Sequence, residues 1–345
     1  MTTRAVATEI FSSPRLAGFW QFRAGGTHYL GIFETDEDGG DGRVSVARVS
    51  DRRLQALRTV ALTPEDVRAA QACVDGSDLV IALEVNRFVA ARLARLPVST
   101  AVGDGEPGDL EGARDAGLSP AQIAAVRLPV SEHWNVAGPL APDRWTFSVH
   151  PVCGLPGTDV IANTADGQAA LLAAAAPRTS PQAPAPSGGA ATSGLLMPDA
   201  AHPQAWRRDG RLMTAFIRPA EPYRPFWSMR RYSGNQQPVS GALSVAEAPD
   251  RVVDLSRTLE IGAVDALAAG LTRQGVDWLF ASRSGRPVTE VFGVVRRDGA
   301  WQRGQTWEID GPVDRISVLD DGAGWHVVTG TETAAGWTLR LAHLD

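Results

Sequence analysis

The stretch TWEIDGPVDRIS at 306–317 has a near twin at 258–268, TLEIGAVDALA. Both run Thr, a bulky apolar residue, Glu, Ile, a turn, Val-Asp, and then alternating small or apolar residues. The pattern recurs upstream. Residues 59–70, TVALTPEDVRAA, align with it without a gap and place Asp66 on Asp265. Residues 125–137, AVRLPVSEHWNVA, give a looser match that brings Glu132 to the same column. The N-terminal ATEIFSSPRLAGFW repeats the Thr-Glu-Ile start, with no acid at the matching place. Each match reads as the end of one strand, a turn and the start of another.

The residues after each junction share a pattern too. A small-residue strand, a Gly turn and a strongly apolar strand appear in AGLTRQGVDWLFAS after Asp265, SVLDDGAGWHVVTG after Asp314 and AQACVDGSDLVIALE after Asp66. Third and fourth strands continue the unit, as in VTEVFGVV (288–295) and WQRGQTWEI (301–309). Four antiparallel strands with tight turns, repeated along a chain, are the signature of a β-propeller blade. The first strand is small and alternating because it lines the crowded centre.

The fold expected is all-β, a single propeller domain over residues 1–345. First strands fall near Gly18, Val67, Trp134, Trp206, Ala266 and Arg315, which makes six blades. A seventh has room only within 97–130 or 177–204. The last unit, 313–345, shows three strands, and AVATEIF at 5–11 can supply its fourth, leaving no open edge in the ring. Two regions interrupt the rhythm. Residues 103–122 are acidic and Gly-rich and read as a surface excursion. Residues 177–194, PRTSPQAPAPSGGAATSG, cannot form a packed core and read as a flexible loop between blades.

Composition narrows the chemistry. All 33 basic residues are arginine. The absence of lysine excludes Schiff-base, P-loop, kinase and Ser-x-x-Lys mechanisms together. A GC-rich genome and avoidance of lysine-directed modification both account for it. A net charge of −6 argues against nucleic-acid binding. No 18-residue apolar run exists, and no basic stretch leads into an apolar one at the N-terminus, so no membrane partner is expected and the location reads as cytoplasmic. Cys73 and Cys153 lie in apolar, strand-like contexts and read as buried free thiols.

The junction column is the candidate catalytic site. In a propeller, Asp66, Glu132, Asp265 and Asp314 would converge on one mouth of the central channel, with His133 beside them. Four carboxylates there would make an acid/base ring or hold a divalent cation, the one cofactor the pattern suggests. The alternative is that each accepts backbone N–H bonds in its own loop and locks adjacent blades. A role repeated in every blade favours locking, since catalysis needs one asymmetric site. Elsewhere the histidines show no HxH, HExxH or His-Cys spacing, so no metal site is expected. His326 and His343 fall inside strands, as part-buried hydrogen-bonded residues do. Trp145, Trp278 and Trp325 start second strands and Trp301 and Trp307 flank a fourth, which marks them as blade packing or as sugar-stacking platforms. Between 200 and 300, 14 Arg face 10 acids, a mildly basic region that suits an anionic ligand or the solvated faces of strands.

The segment 275–301, GVDWLFASRSGRPVTEVFGVVRRDGAW, resembles a blade of bacterial and fungal propeller lectins. The resemblance implies a glycan-binding set of Arg283, Glu290 and Trp301. DDGAGW at 320–325 resembles the Asp-box turn of sialidases, with Val318 where Ser or Thr is expected. No arginine triad or FRIP-like start accompanies it, which argues against sialidase activity. The function expected is therefore a non-catalytic binding or scaffold propeller that recognises a protein or glycan through one face. The alternative is a hydrolase or lyase with its acidic site at the channel mouth.

Overall fold

The computed structural model describes residues 2–35, 42–62, 67–85, 92–102, 134–135, 146–153, 159–164, 167–173, 196–208, 210–222, 239–248, 251–285 and 287–345. They form six antiparallel sheets. The first holds Leu16–Ala24, Thr27–Glu34, Arg43–Ser50 and Arg53–Leu62, in that spatial order. The second holds Val67–Asp75, Asp78–Val85, Arg92–Pro97 and Trp134–Asn135, and the third Thr146–Val152, Asp159–Thr164, Ala169–Ala173 and Leu196–Met197. The fourth runs from Ala201–Arg208 through Arg211–Pro219 and Gly241–Ala248 to Arg251–Asp254. The fifth is Ala266–Arg273, Val276–Arg283, Val288–Arg297 and Ala300–Asp310. The sixth orders Arg315–Asp320, Trp325–Thr333 and Gly336–Leu344 outward.

Each inner strand packs on the inner strand of the next sheet, and the sixth packs back on the first. The result is a six-bladed β-propeller. Second strands such as Val276–Arg283 are buried on both faces, because each blade is sandwiched between two others. Apolar clusters fill all six seams. At the seam of blades five and six, Trp278, Phe280, Trp307 and Trp325 pack ring against ring, with Phe280 and Trp325 centroids 4.9 Å apart. These tryptophans are blade packing. Gly18 is needed at the first seam, where a Cβ would collide with the Ala70 carbonyl.

The N-terminus serves two blades. Thr8–Ser13 pairs antiparallel with Gly336–Leu344 as the outer strand of blade six. Thr2–Ala5 adds a fifth, parallel strand to blade five, with Thr2 opposite Thr306. The pairing segment thus starts three residues later than the 5–11 expected from the sequence, and the residues before it go to the neighbouring sheet.

Three expectations are corrected. Trp134 does not start an inner strand: Trp134 and Asn135 pair with Leu93 and Arg92 as the outer strand of blade two, and blade three begins at Thr146. Blade four begins at Ala201, ahead of Trp206. Cys73 and Cys153 are not free thiols but a disulfide, with Cα atoms 6.2 Å apart, joining the inner strand of blade two to the end of that of blade three. The loops at 103–122 and 177–194 lie outside the described residues.

Candidate functional site

The inner strands enclose a cavity of about 430 Å³ on the propeller axis. At the end where these strands begin, it is lined by Glu84, Ser148, His150, Asp265, Asp314, Arg315 and Glu332. Glu84 ends an otherwise apolar strand, opposite Ala69 of the inner strand of blade two. It is 6% exposed. Its Oε2 accepts the Ser148 N–H at 3.0 Å. Ser148 adopts φ 51° at a register shift in the inner strand of blade three. Left-handed backbone at a non-Gly residue costs on the order of 1 kcal/mol. The bulge aims its N–H at the buried carboxylate. His202, also with positive φ at a register shift, lines the cavity from blade four.

Burial raises the proton affinity of Glu84 above that of an ordinary carboxyl, against the pull of Arg68 and Arg315 and of the Ser148 and Val149 N–H groups. Arg315 is the hub of this mouth. Glu84, Glu332 and Asp314 all act on its charge. Its Nη1 donates to the Ala17 carbonyl at 3.3 Å, and its guanidinium lies 4.7 Å from the centroid of the Trp337 ring. Burial, then His202 and Arg315, push His150 down to about 3, so it is a neutral imidazole at neutral pH. The arrangement combines a carboxyl inclined to keep its proton, a fixed cation and further carboxylates around that cation.

Asp265 and Asp314 do converge on this mouth, and each makes the same clasp. The Asp265 N–H donates to the Ser282 carbonyl at 2.7 Å, and its Oδ2 accepts from Ser284 N at 2.6 Å. The Asp314 N–H donates to the Gly330 carbonyl at 2.9 Å, and its Oδ2 accepts from Glu332 N at 2.8 Å. Asp66, Glu132 and His133 lie outside the described residues.

The lectin-like set is not assembled. Arg283 and Glu290 are cross-strand partners joined by an ion pair at one end of blade five. Trp301 sits at the other end, paired with Arg296, 8% exposed, and donates its indole N–H to Glu247 at 3.2 Å. Sequence reasoning passed over Glu84, Arg315 and His150. For Glu84 a signal existed, a lone carboxylate closing the apolar run LVIAL; nothing local singles out the other two.

No protein-family model matches the sequence, and no curated protein does. The fold has solved counterparts. The Trypanosoma rangeli sialidase superposes with a TM-score of 0.51 at 12% identity, over 99% of this chain and 57% of that one. The same sialidase with 2,3-difluorosialic acid as a covalent intermediate gives 0.51 at 11% identity, over 99% and 58%. The Podospora anserina α-L-arabinofuranosidase in complex with cellotriose gives 0.43 at 11% identity, over 100% and 97%. The chain thus spans little more than half the length of the sialidase it matches. A fold shared with a sialidase corrects the expectation of a non-catalytic scaffold or lectin to this extent, that the fold itself gives no ground for it.

Proposed function

We propose that the chain is a glycoside hydrolase working at the Glu84–Arg315 mouth of the channel. The observation that carries this reading is Glu84, a buried carboxyl of raised proton affinity facing a polar cavity beside a fixed cation. Such a group is suited to general-acid work near neutral pH. Glu84 would give its proton to the glycosidic oxygen as the C–O bond breaks. A second carboxylate, Glu332, would take a proton from the incoming water, or bond to the anomeric carbon until water releases it. Arg315 would set its positive charge on the same wall of the cavity. The likeness in fold to a sialidase supports a carbohydrate substrate.

A panel of aryl pyranosides, furanosides and sialosides tests the proposal. Turnover is expected on at least one, and Glu84→Gln should lower it by about 10²–10⁴-fold. Folding raises the proton affinity of Glu84, so its contribution to stability is complete below the ordinary value of 4.5 and is lost as pH rises through the folded value. Melting temperatures should therefore show Glu84→Gln gaining on the wild type as pH rises above that point. No release from any glycoside, or full turnover by the variant, would overturn the assignment.

We also propose that the chain matures in an oxidising compartment, since structural disulfides such as Cys73–Cys153 form and persist there. Thiol alkylation of protein from its native host, read by mass, tests this. Two alkylated cysteines without prior reduction would restore the cytoplasmic reading.

A further inference from the structure

At the opposite end of the inner strands, where blades six and one meet, three side chains that the proposed hydrolysis does not use come together. Asp321 lies in the hairpin turn of blade six, and His326 and His343 lie on its second and third strands. One donor atom of each lies within 4.8 Å of the others. His326 Nε2 is 2.9 Å and His343 Nδ1 3.4 Å from Asp321 Oδ2. Metal–donor bonds of about 2.0 Å at tetrahedral angles set donors about 3.3 Å apart. The two observed separations bracket that spacing.

The surroundings are built for the cluster. Asp321 Oδ1 accepts the Ala323 and Gly324 N–H groups at 2.8 and 2.5 Å, which leaves Oδ2 turned to the imidazoles. A Cβ at residue 324 would come within 2.8 Å of His343 Nε2, so glycine keeps the space beside that ring open. Arg23, the neighbouring cation, directs Nη1 to the Asp320 carbonyl at 3.4 Å.

An independent observation comes from blade one. His28 is 8% exposed, and neither of its ring nitrogens has a hydrogen-bond partner. His326 Nδ1 is also buried without one. The His28 ring packs edge-on against His326, with centroids 4.7 Å apart. Leaving buried polar nitrogens unpaired is unfavourable, and a ligand that accepts their lone pairs removes that cost.

We propose that Asp321, His326 and His343 bind one first-row divalent transition metal at the seam between blades six and one, beside the unpartnered His28 ring, with water completing the coordination. Imidazoles with one carboxylate in a near-tetrahedral spacing favour Zn²⁺ over the hard cations Mg²⁺ and Ca²⁺.

The test uses the full chain, stripped with chelator and dialysed against Zn²⁺ alone. Elemental analysis should find one zinc per chain, and added Zn²⁺ should raise the melting temperature. Co²⁺ should give the intense visible bands of a four-coordinate site, a readout that needs no variant. His343→Gln and Asp321→Asn should each weaken Zn²⁺ binding by about tenfold or more. A chain that retains no zinc and gives no such Co²⁺ bands would leave only a hydrogen-bonded His-Asp-His clip and overturn the site. Zinc retained undiminished by a His326→Gln, His343→Gln double variant would overturn it equally.

Discussion

Blades five and six differ from blades two and three in how their inner strands are held. In five and six the clasps repeat, each within its own blade. Asp265 and Asp314 occupy equivalent junctions and make the same pair of backbone bonds. Between two and three, the ties occur once. A disulfide joins the inner strands, and the strained Ser148 reaches across to Glu84. Repetition marks a scaffold role, because every junction in a ring faces the same mechanical problem. A single departure marks a place where something besides the ring is being built. By that test Asp265 and Asp314 are structural, and the unique Ser148–Glu84 bond belongs to the site.

Removing the disulfide should break the comparison most visibly. The bridge spans 80 residues, and its loss costs about 2–4 kcal/mol by restoring freedom to the unfolded chain. Denaturant melts of a Cys73→Ser, Cys153→Ser variant should show that loss, and an unchanged midpoint would deny the bridge its role. Next come the clasps. Asp265→Asn and Asp314→Asn should each cost about 1–2 kcal/mol, and by similar amounts, because each weakens one charge-assisted bond of the same kind. A variant that gains stability, as relief of crowded charge would give, sinks the claim that these acids are locks. The smallest effect is expected at the outermost tie of blade five. Arg4 and Asp310 pair at 2.7 Å with side chains 67% and 55% exposed. Exposed pairs contribute about 0–1 kcal/mol, so Arg4→Ala should barely move the midpoint. A larger drop would show that the parallel strand Thr2–Ala5 depends on that pair.

The legible part of the fold was the part carried by local pattern. Val-Asp junctions at Asp265 and Asp314, the Gly turns and the apolar second strands placed five of the six blades. Blade three was misplaced because AVRLPVSEHWNVA imitates a junction, while register with Arg92 and Leu93 puts Trp134 on an outer edge. That Asp265 and Asp314 face one cavity could be read, since equivalent positions in a ring meet around its axis. Its chemistry was harder to read, because a carboxylate that clasps backbone and one that moves protons look identical in sequence.

The sequence by itself determined the strand periodicity, the number of blades and the exclusion of lysine chemistry, since each depends on residues near one another in the chain or on simple presence. The tertiary structure alone decided the rest. Cys73 meets Cys153 across 80 residues of chain. Glu84 holds its proton more tightly only because packing buries it, against the pull of Arg68 and Arg315. His28 joins His326 and His343 only where the ring closes. Burial and proximity across a seam are properties of the closed ring, and spacing along the chain does not encode them.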